Sequence, residues 1–365
     1  MSLQDHGRSG GAAGDAIPAI VLGGTGYVAG ELLRLIAGHP RFELAGILSD
    51  GHPGESVARA FPHLASAVAE LQFESQTEIG RRVAELPESA IFCAAPHGVA
   101  AALIDSLLKR AEQAGTRPRV VDISADFRYR EALSYEAVYK HPHGAPDRIK
   151  EFSCALPEHL ERLGTPHVAH PGCFSSATLL ASVPLLALDL VHPMLFVSGV
   201  TGSTGSGRKP AESTHHPLRH SDLYSYSALA HRHTPEIAAC ARNASGVDAE
   251  FSFVPHSGPF ARGIHITLQA QLKKPLDKAQ LTAALRKFYA QAPFVRVIDT
   301  APRLKDVVTS NYAHLSAASN GRTAAIMCVL DNLNKGAAGG AVQWMNRMFG
   351  LPQTLGLTAP APGWT

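Results

Sequence analysis

Residues 17–40, "IPAIVLGGTGYVAGELLRLIAGHP", constrain the fold of this chain more than any other stretch. An apolar run ends at Leu22, glycines follow at once, and Leu32, Leu33, Leu35 and Ile36 then recur at helical spacing until His39-Pro40 stops them. The order is strand, turn, helix. Within the turn, Gly23, Gly26 and Ala29 fit the spacing G-x-x-G-x-x-A, whose small residues let a backbone approach a diphosphate and let the helix pack on its strand. That position, directly after a strand and before a helix, is what a dinucleotide-binding turn requires.

The pattern then repeats. "FELAGILS" reads as a second strand, and the residues at its end, Ser49 and Asp50, are where an adenosine ribose would lie. An acidic residue there favours an unphosphorylated ribose, whereas Ser49 or His52 suits a 2′-phosphate, so these residues leave NAD and NADP both open. "AIFCAAPHGVAAALIDSLLKRAEQAG" gives another strand and helix across Pro96-His97-Gly98, and "RVVDISADFR" another strand. Such alternation implies a mostly parallel sheet. After Cys173 the character changes to a long Gly-, Ser- and His-rich stretch, then to "GIHITLQAQL", whose alternation suits a half-solvated antiparallel strand. The chain closes on a helical "NKGAAGGAVQWMNRMFG". At 365 residues it exceeds what one core usually supports, about 250–300 residues, so two domains are expected.

Composition narrows the partners. A net charge of +2 leaves no electrostatic footprint for nucleic acid or a membrane surface, which points to a small-molecule ligand. Five scattered cysteines without a C-x-x-C pair indicate neither a disulfide framework nor a metal site. The polar, Gly-rich residues 1–15 read as a disordered N-terminus without a signal-peptide core, and the chain as cytoplasmic.

The chemistry gathers around "HPGCFSSATLL". Cys173 follows a Pro-Gly turn and opens a helix, where unpaired N–H groups would lower its thiol pKa and favour the reactive thiolate. The matching base lies in "HRHTPEI": His231 or His233, with Glu236 three residues after His233 placed to orient it. Arg208 and Lys209 in "GSGRKP", and Arg262 in "FARGIHIT", are candidates to grip an anionic substrate.

Taken together, "GGTGYVAGEL", "APHG", "DISADFR", "LPE", "HPGCF", "SGVTG", "HRHTPEI", "PHSGPFARG" and the C-terminal "NKGAAGGAVQWMNRMFGLPQTLGL" resemble the N-acetyl-γ-glutamyl-phosphate reductases of arginine biosynthesis, within the aspartate-semialdehyde dehydrogenase superfamily. The resemblance implies an α/β protein. An N-terminal Rossmann domain, residues 16–172, would be completed by the C-terminal helix in residues 334–365. Residues 173–333 would form an α+β catalytic and oligomerisation domain with a mainly antiparallel mixed sheet. It implies NADPH-dependent reductive dephosphorylation of an acyl phosphate, Cys173 as nucleophile, His233 as acid/base with Glu236 as partner, and His231 nearby. Gly23, Thr25, Gly26, Tyr27, Val28, Ser49, Pro96, Ser203, Lys335 and Gly336 would bind NADP(H), and Arg128, Arg208 and Arg262 the substrate. No metal is implied, and the assembly would be a homodimer or homotetramer. Phe174, Ser175 and Ser176 stand where the family usually has Tyr followed by Pro-Thr. "HHPLR" is similar to related lysine-pathway reductases acting on carrier-linked α-aminoadipyl phosphate, and Arg219 would then face an acidic carrier protein. An inactive dinucleotide-binding protein is a third reading, which the pairing of Cys173 with His233 and Glu236 argues against.

Overall fold

The apolar run before the glycine turn forms β1 (Ile17–Leu22), and its alternate residues face opposite sides of a sheet. In the computed structural model, which describes residues 16–364, the sheet is completed by β2 (Phe42–Leu48), β3 (Glu88–Cys93), β4 (Arg117–Asp122), β5 (Phe152–Cys154) and β6 (His167–Ala169). The expected disordered segment 1–15 lies outside the described residues. The strand order is β2-β1-β3-β4-β6-β5 and every pairing is parallel. Ala19 and Val21 of β1, Phe92 of β3 and Val121 of β4 pack on one side with Leu32 and Leu33 of the helix Tyr27–Ala37. Ile20, Leu22, Ile91 and Val120 pack on the other with Ile104 and Leu107 of the helix Ala100–Ala114. A parallel sheet covered on both faces is the doubly wound arrangement expected from the βα alternation.

The second sheet is mixed. It contains β7 (Val191–Thr201), β8 (Tyr224–Ser225), β9 (Glu250–Ser257), β10 (Ile264–Leu272), β11 (Val295–Val297), β12 (Ala313–Ser319) and β13 (Thr323–Leu330), in the order β11-β12-β13-β10-β7-β9-β8. The β11/β12 and β7/β9 pairs are parallel and the others antiparallel. The alternation of "GIHITLQAQL" is realised: Ile264, Ile266, Leu268, Ala270 and Leu272 are buried while Gln269 and Gln271 are exposed. Three helices, Cys173–Ala187, Thr234–Ser245 and Lys278–Phe288, cover the buried face. The chain then returns to the first sheet. After a π turn at Asn334–Ala338, the helix Gly339–Met348 places Val342, Trp344 and Met345 against Leu32 and Phe92, and the Trp344 indole donates to Ala155 O at 3.0 Å. The two sheets are thereby tied by covalent chain at two points, through the helix Cys173–Ala187 and the turn Asn334–Ala338.

Candidate active site

The glycine turn is dictated by crowding. Gly23 has φ +84°, and a Cβ there would lie 2.6 Å from backbone atoms of Ala94 and Ala95, so only glycine fits between β1 and β3. At Gly26 a Cβ would meet only Gly23 O, at 3.9 Å, and would instead fill the cradle in front of the helix Tyr27–Ala37. That helix starts with no side-chain cap and no acidic residue in its first turn, leaving N–H donors and the positive end of its dipole facing the cradle. An open groove of about 740 Å³ runs from this turn past Ser49, Asp50 and His52 to Pro96, Arg208 and Lys209. Its cradle, N–H donors and cations suit a phosphate-bearing dinucleotide.

Around Gly26, Pro96 and Arg208 the groove continues into a cavity of about 800 Å³ that contains Cys173, His231 and His233. Gly172 is the N-cap of the helix Cys173–Ala187 and puts Cys173 in its first turn, as the Pro-Gly signal predicts. Ser175, Ser176 and Thr178 are fully buried and pack the helix into the mixed-sheet core, so they do not line the sulfur's cavity.

A buried ion pair holds the site together. Arg128 Nη1 donates to Glu236 Oε2 at 3.0 Å, and the other Glu236 oxygen accepts the Gly172 N–H at 2.6 Å. Arg128 also donates to His170 O at 3.0 Å and Ile123 O at 2.8 Å. One guanidinium therefore joins the segment after β4, the approach to Cys173 and the helix Thr234–Ser245. The expected Glu236–His233 contact is absent, because both carboxylate oxygens are taken by a guanidinium and a backbone N–H. His233 is buried with Nδ1 unpartnered among the described residues, and its Nε2 edge lies against Gly172, where a Cβ would approach it to 2.5 Å. His231 accepts the His233 N–H at Nδ1 (3.2 Å) and is ringed by Phe174, Tyr226 and Phe253.

Burial pushes the His233 imidazole well below its ordinary pKa, with His231, Arg128 and Arg232 acting in the same direction. His231 is pushed down to about 4 by burial and by Arg232. Burial also raises the Cys173 thiol above its ordinary value, against the opposing pull of Arg128 and the Phe174 N–H. This corrects the expected lowering, since loss of water around the sulfur outweighs the helix start. Both shifts favour the uncharged forms of the pair, thiol and imidazole.

Residues 18–152 match the semialdehyde dehydrogenase NAD binding domain and residues 173–332 the semialdehyde dehydrogenase dimerisation domain. N-acetyl-gamma-glutamyl-phosphate reductases of Nitrosococcus oceani and Desulforudis audaxviator are 38% and 35% identical, each aligned over 93% of this chain and over 98% and 97% of their own lengths. The chain belongs to the N-acetyl-γ-glutamyl-phosphate reductase family. Its architecture is shared by aspartate semialdehyde dehydrogenase II of Vibrio cholerae, complexed with ASA, at TM-score 0.66 and 14% identity over 92% of this chain and 98% of that one. A probable aspartate-semialdehyde dehydrogenase of Pseudomonas aeruginosa matches at TM-score 0.62 and 18% identity, over 92% of this chain and 99% of that one.

Against this reductase frame, the structure brings most expected residues to one place. Gly23, Thr25, Gly26, Ser49 and Pro96 line the groove, and Tyr27, Val28, Arg128 and Gly336 line the thiol cavity. Gly336 passes so close that a Cβ would stand 2.8 Å from Cys173 Cβ. Three expected residues are employed elsewhere. Lys335 is fully buried and donates to Glu158 (2.6 Å) and Gln343 (2.7 Å), because the wide turn points its side chain into the core. Ser203 Oγ turns to Phe260 O at 3.4 Å, leaving its neighbours Thr204 and Gly205 at the cavity. Arg262 is held by Glu31 (2.6 Å) and Asp331 (2.9 Å), so it bolts the first helix to the end of β13 and does not line the thiol cavity. Arg219, weighed as a carrier-protein contact, is buried and donates to Asp222 O at 3.2 Å. The residue that sequence reading missed is Arg232, an exposed cation lining the thiol cavity. Its only sequence signal was its place between the two histidines.

Proposed function

We propose that this chain reduces N-acetyl-γ-glutamyl phosphate to N-acetyl-glutamate 5-semialdehyde with NADPH, through a thioester on Cys173. The observation that carries the reading is the continuity of the dinucleotide groove with the cavity holding Cys173 and His233. NADP is favoured over NAD because the cations Arg59, Arg208 and Lys209 line the groove near the end of β2, where one oxygen of Asp50 is already taken by the Gln76 N–H at 3.0 Å.

In this mechanism neutral His233 accepts the Cys173 proton as Sγ attacks the acyl carbon; the C–O bond to phosphate breaks and phosphate leaves. N–H groups at the start of the Cys173 helix face the oxyanion that develops on the carbonyl. Arg232 supplies positive charge for the departing phosphate, and Arg128 acts indirectly by holding Gly172 through Glu236. Held in the groove lined by Gly23, Thr25, Gly26, Ser49 and Pro96, NADPH would supply the hydride that reduces the thioester. Collapse of the resulting hemithioacetal on Cys173 releases the aldehyde, and the His233 imidazolium returns its proton to sulfur. We further propose that residues 16–172 with 334–365 form the cofactor unit and 173–333 the catalytic unit, assembled as a cytoplasmic homodimer or homotetramer.

The test runs the reaction backwards. N-acetyl-glutamate semialdehyde, phosphate and NADP should give phosphate-dependent cofactor reduction that iodoacetamide and Cys173→Ala both abolish. Surviving activity in Cys173→Ala would exclude the covalent route.

A further inference from the structure

We propose that Arg208, on the strap between β7 and β8, reads the cofactor's 2′-phosphate from the side of the mixed sheet, with Lys209 and Arg59 as secondary cations. The inference rests on the NADPH reading above and reassigns a residue first expected to hold substrate.

Arg208 Nη1 donates to Thr25 O at 3.1 Å and Nη2 to Ala60 O at 3.0 Å, while its guanidinium lies over the Phe61 ring, 5.3 Å from the centroid. Thr25 belongs to the glycine turn, and Ala60 ends the short helix Val57–Ala60 that follows β2. The guanidinium therefore spans the groove at the end where the second strand stops and an adenosine ribose would lie. Its partners are neutral carbonyls, so its charge is not cancelled. The two acids of this groove do not contact these cations: one oxygen of Asp50 accepts the Gln76 N–H at 3.0 Å, and Glu55 meets His52 at 3.1 Å. Among the described residues no carboxylate pairs with Arg59, Arg208 or Lys209, although all three line the groove. Three cations from two segments, the strap and the helix Val57–Ala60, exceed the two carboxylates of the groove, Asp50 and Glu55, and the planar guanidinium suits the oxygens of a phosphate. A ribose hydroxyl would leave this excess charge unused.

The placement has a second effect. Thr204, Gly205 and Ser206, a few residues before Arg208 on the same strap, form part of the wall of the Cys173 cavity. Docking the strap on the 2′-phosphate would therefore also set the wall against which the acyl phosphate binds.

The test measures binding of 2′,5′-ADP, 5′-ADP, NADPH and NADH to the full chain by calorimetry, without turnover. The wild type should bind 2′,5′-ADP more tightly than 5′-ADP. Arg208→Ala should lose about tenfold or more of 2′,5′-ADP and NADPH affinity, as loss of a charge-assisted contact implies, with 5′-ADP and NADH unchanged. Arg208→Lys should retain part of the preference, and it carries the same comparison where the alanine variant loses its thermal transition. A preserved preference in both variants would overturn the proposal while leaving the NADPH reading intact. Equal loss for phosphorylated and unphosphorylated ligands would also overturn it, placing the guanidinium on the diphosphate instead. A wild type indifferent to the 2′-phosphate would overturn both readings.

Discussion

Glu236→Gln keeps the shape of a side chain and removes its charge, and the structure assigns it opposite effects on stability and on thiol reactivity. Both Glu236 oxygens accept, one from Arg128 at 3.0 Å and one from the Gly172 N–H at 2.6 Å. An amide can accept at only one end, so its NH₂ must face the other donor, and the buried Arg128 loses its counter-charge. Removing one partner of a buried, hydrogen-bonded pair of this kind costs about 3–5 kcal/mol, and retention of one bond by glutamine brings the expectation to about 3 kcal/mol. A urea titration should show a lower midpoint at unchanged slope. Glu236 also raises the Cys173 thiol pKa while Arg128 lowers it. With the carboxylate gone and the guanidinium left, the thiol pKa falls and iodoacetamide should alkylate Cys173 faster than in the wild type at neutral pH. Had Glu236 served mainly to orient His233, the same change would spare stability and slow thiol chemistry. Unchanged stability together with slower alkylation would refute the assignment made here.

Other consequences are open to direct measurement. Because burial raises the Cys173 thiol, its alkylation rate in the free enzyme should still be climbing beyond the ordinary thiol pKa of about 8.5; a plateau below pH 8 would show that the helix start prevails. Gly336→Ala forces a methyl to within 2.8 Å of Cys173 Cβ and should lower kcat by roughly 10²-fold with NADPH affinity nearly unchanged, checked by steady-state kinetics and calorimetry. Arg262→Ala should cost about 2–4 kcal/mol by uncoupling Glu31 from Asp331, while the substrate KM stays at its wild-type value; a raised KM would return Arg262 to the substrate site. In the wild type, Glu31 is held below its ordinary pKa by Arg262 and Arg34 despite opposing burial, so its share of stability is present above the unfolded-state pKa and is lost as pH falls.

The sequence by itself determined the features that depend on near neighbours along the chain. The period of apolar residues in 17–40 made a strand and a helix, and the glycines between them made a tight turn of the spacing a dinucleotide-binding backbone uses. The Pro-Gly signal placed Cys173 in the first turn of a helix, and alternation in "GIHITLQAQL" specified a strand with one buried face. Charged side chains were different, because their partners lie far off in the chain and local spacing carries no information about them. Glu236 stands three residues from His233, yet its carboxylate belongs to Arg128, separated from it by 108 positions. Lys335 and Arg262 read as free cations and proved to be locked to Glu158 and to the Glu31–Asp331 pair. The thiol's direction of shift was likewise a tertiary matter: a helix start acts over one turn, whereas burial is imposed by every element that closes around Cys173. Local pattern determined where the reactive groups stand on their elements, and packing decided which charges meet and how much water remains beside them.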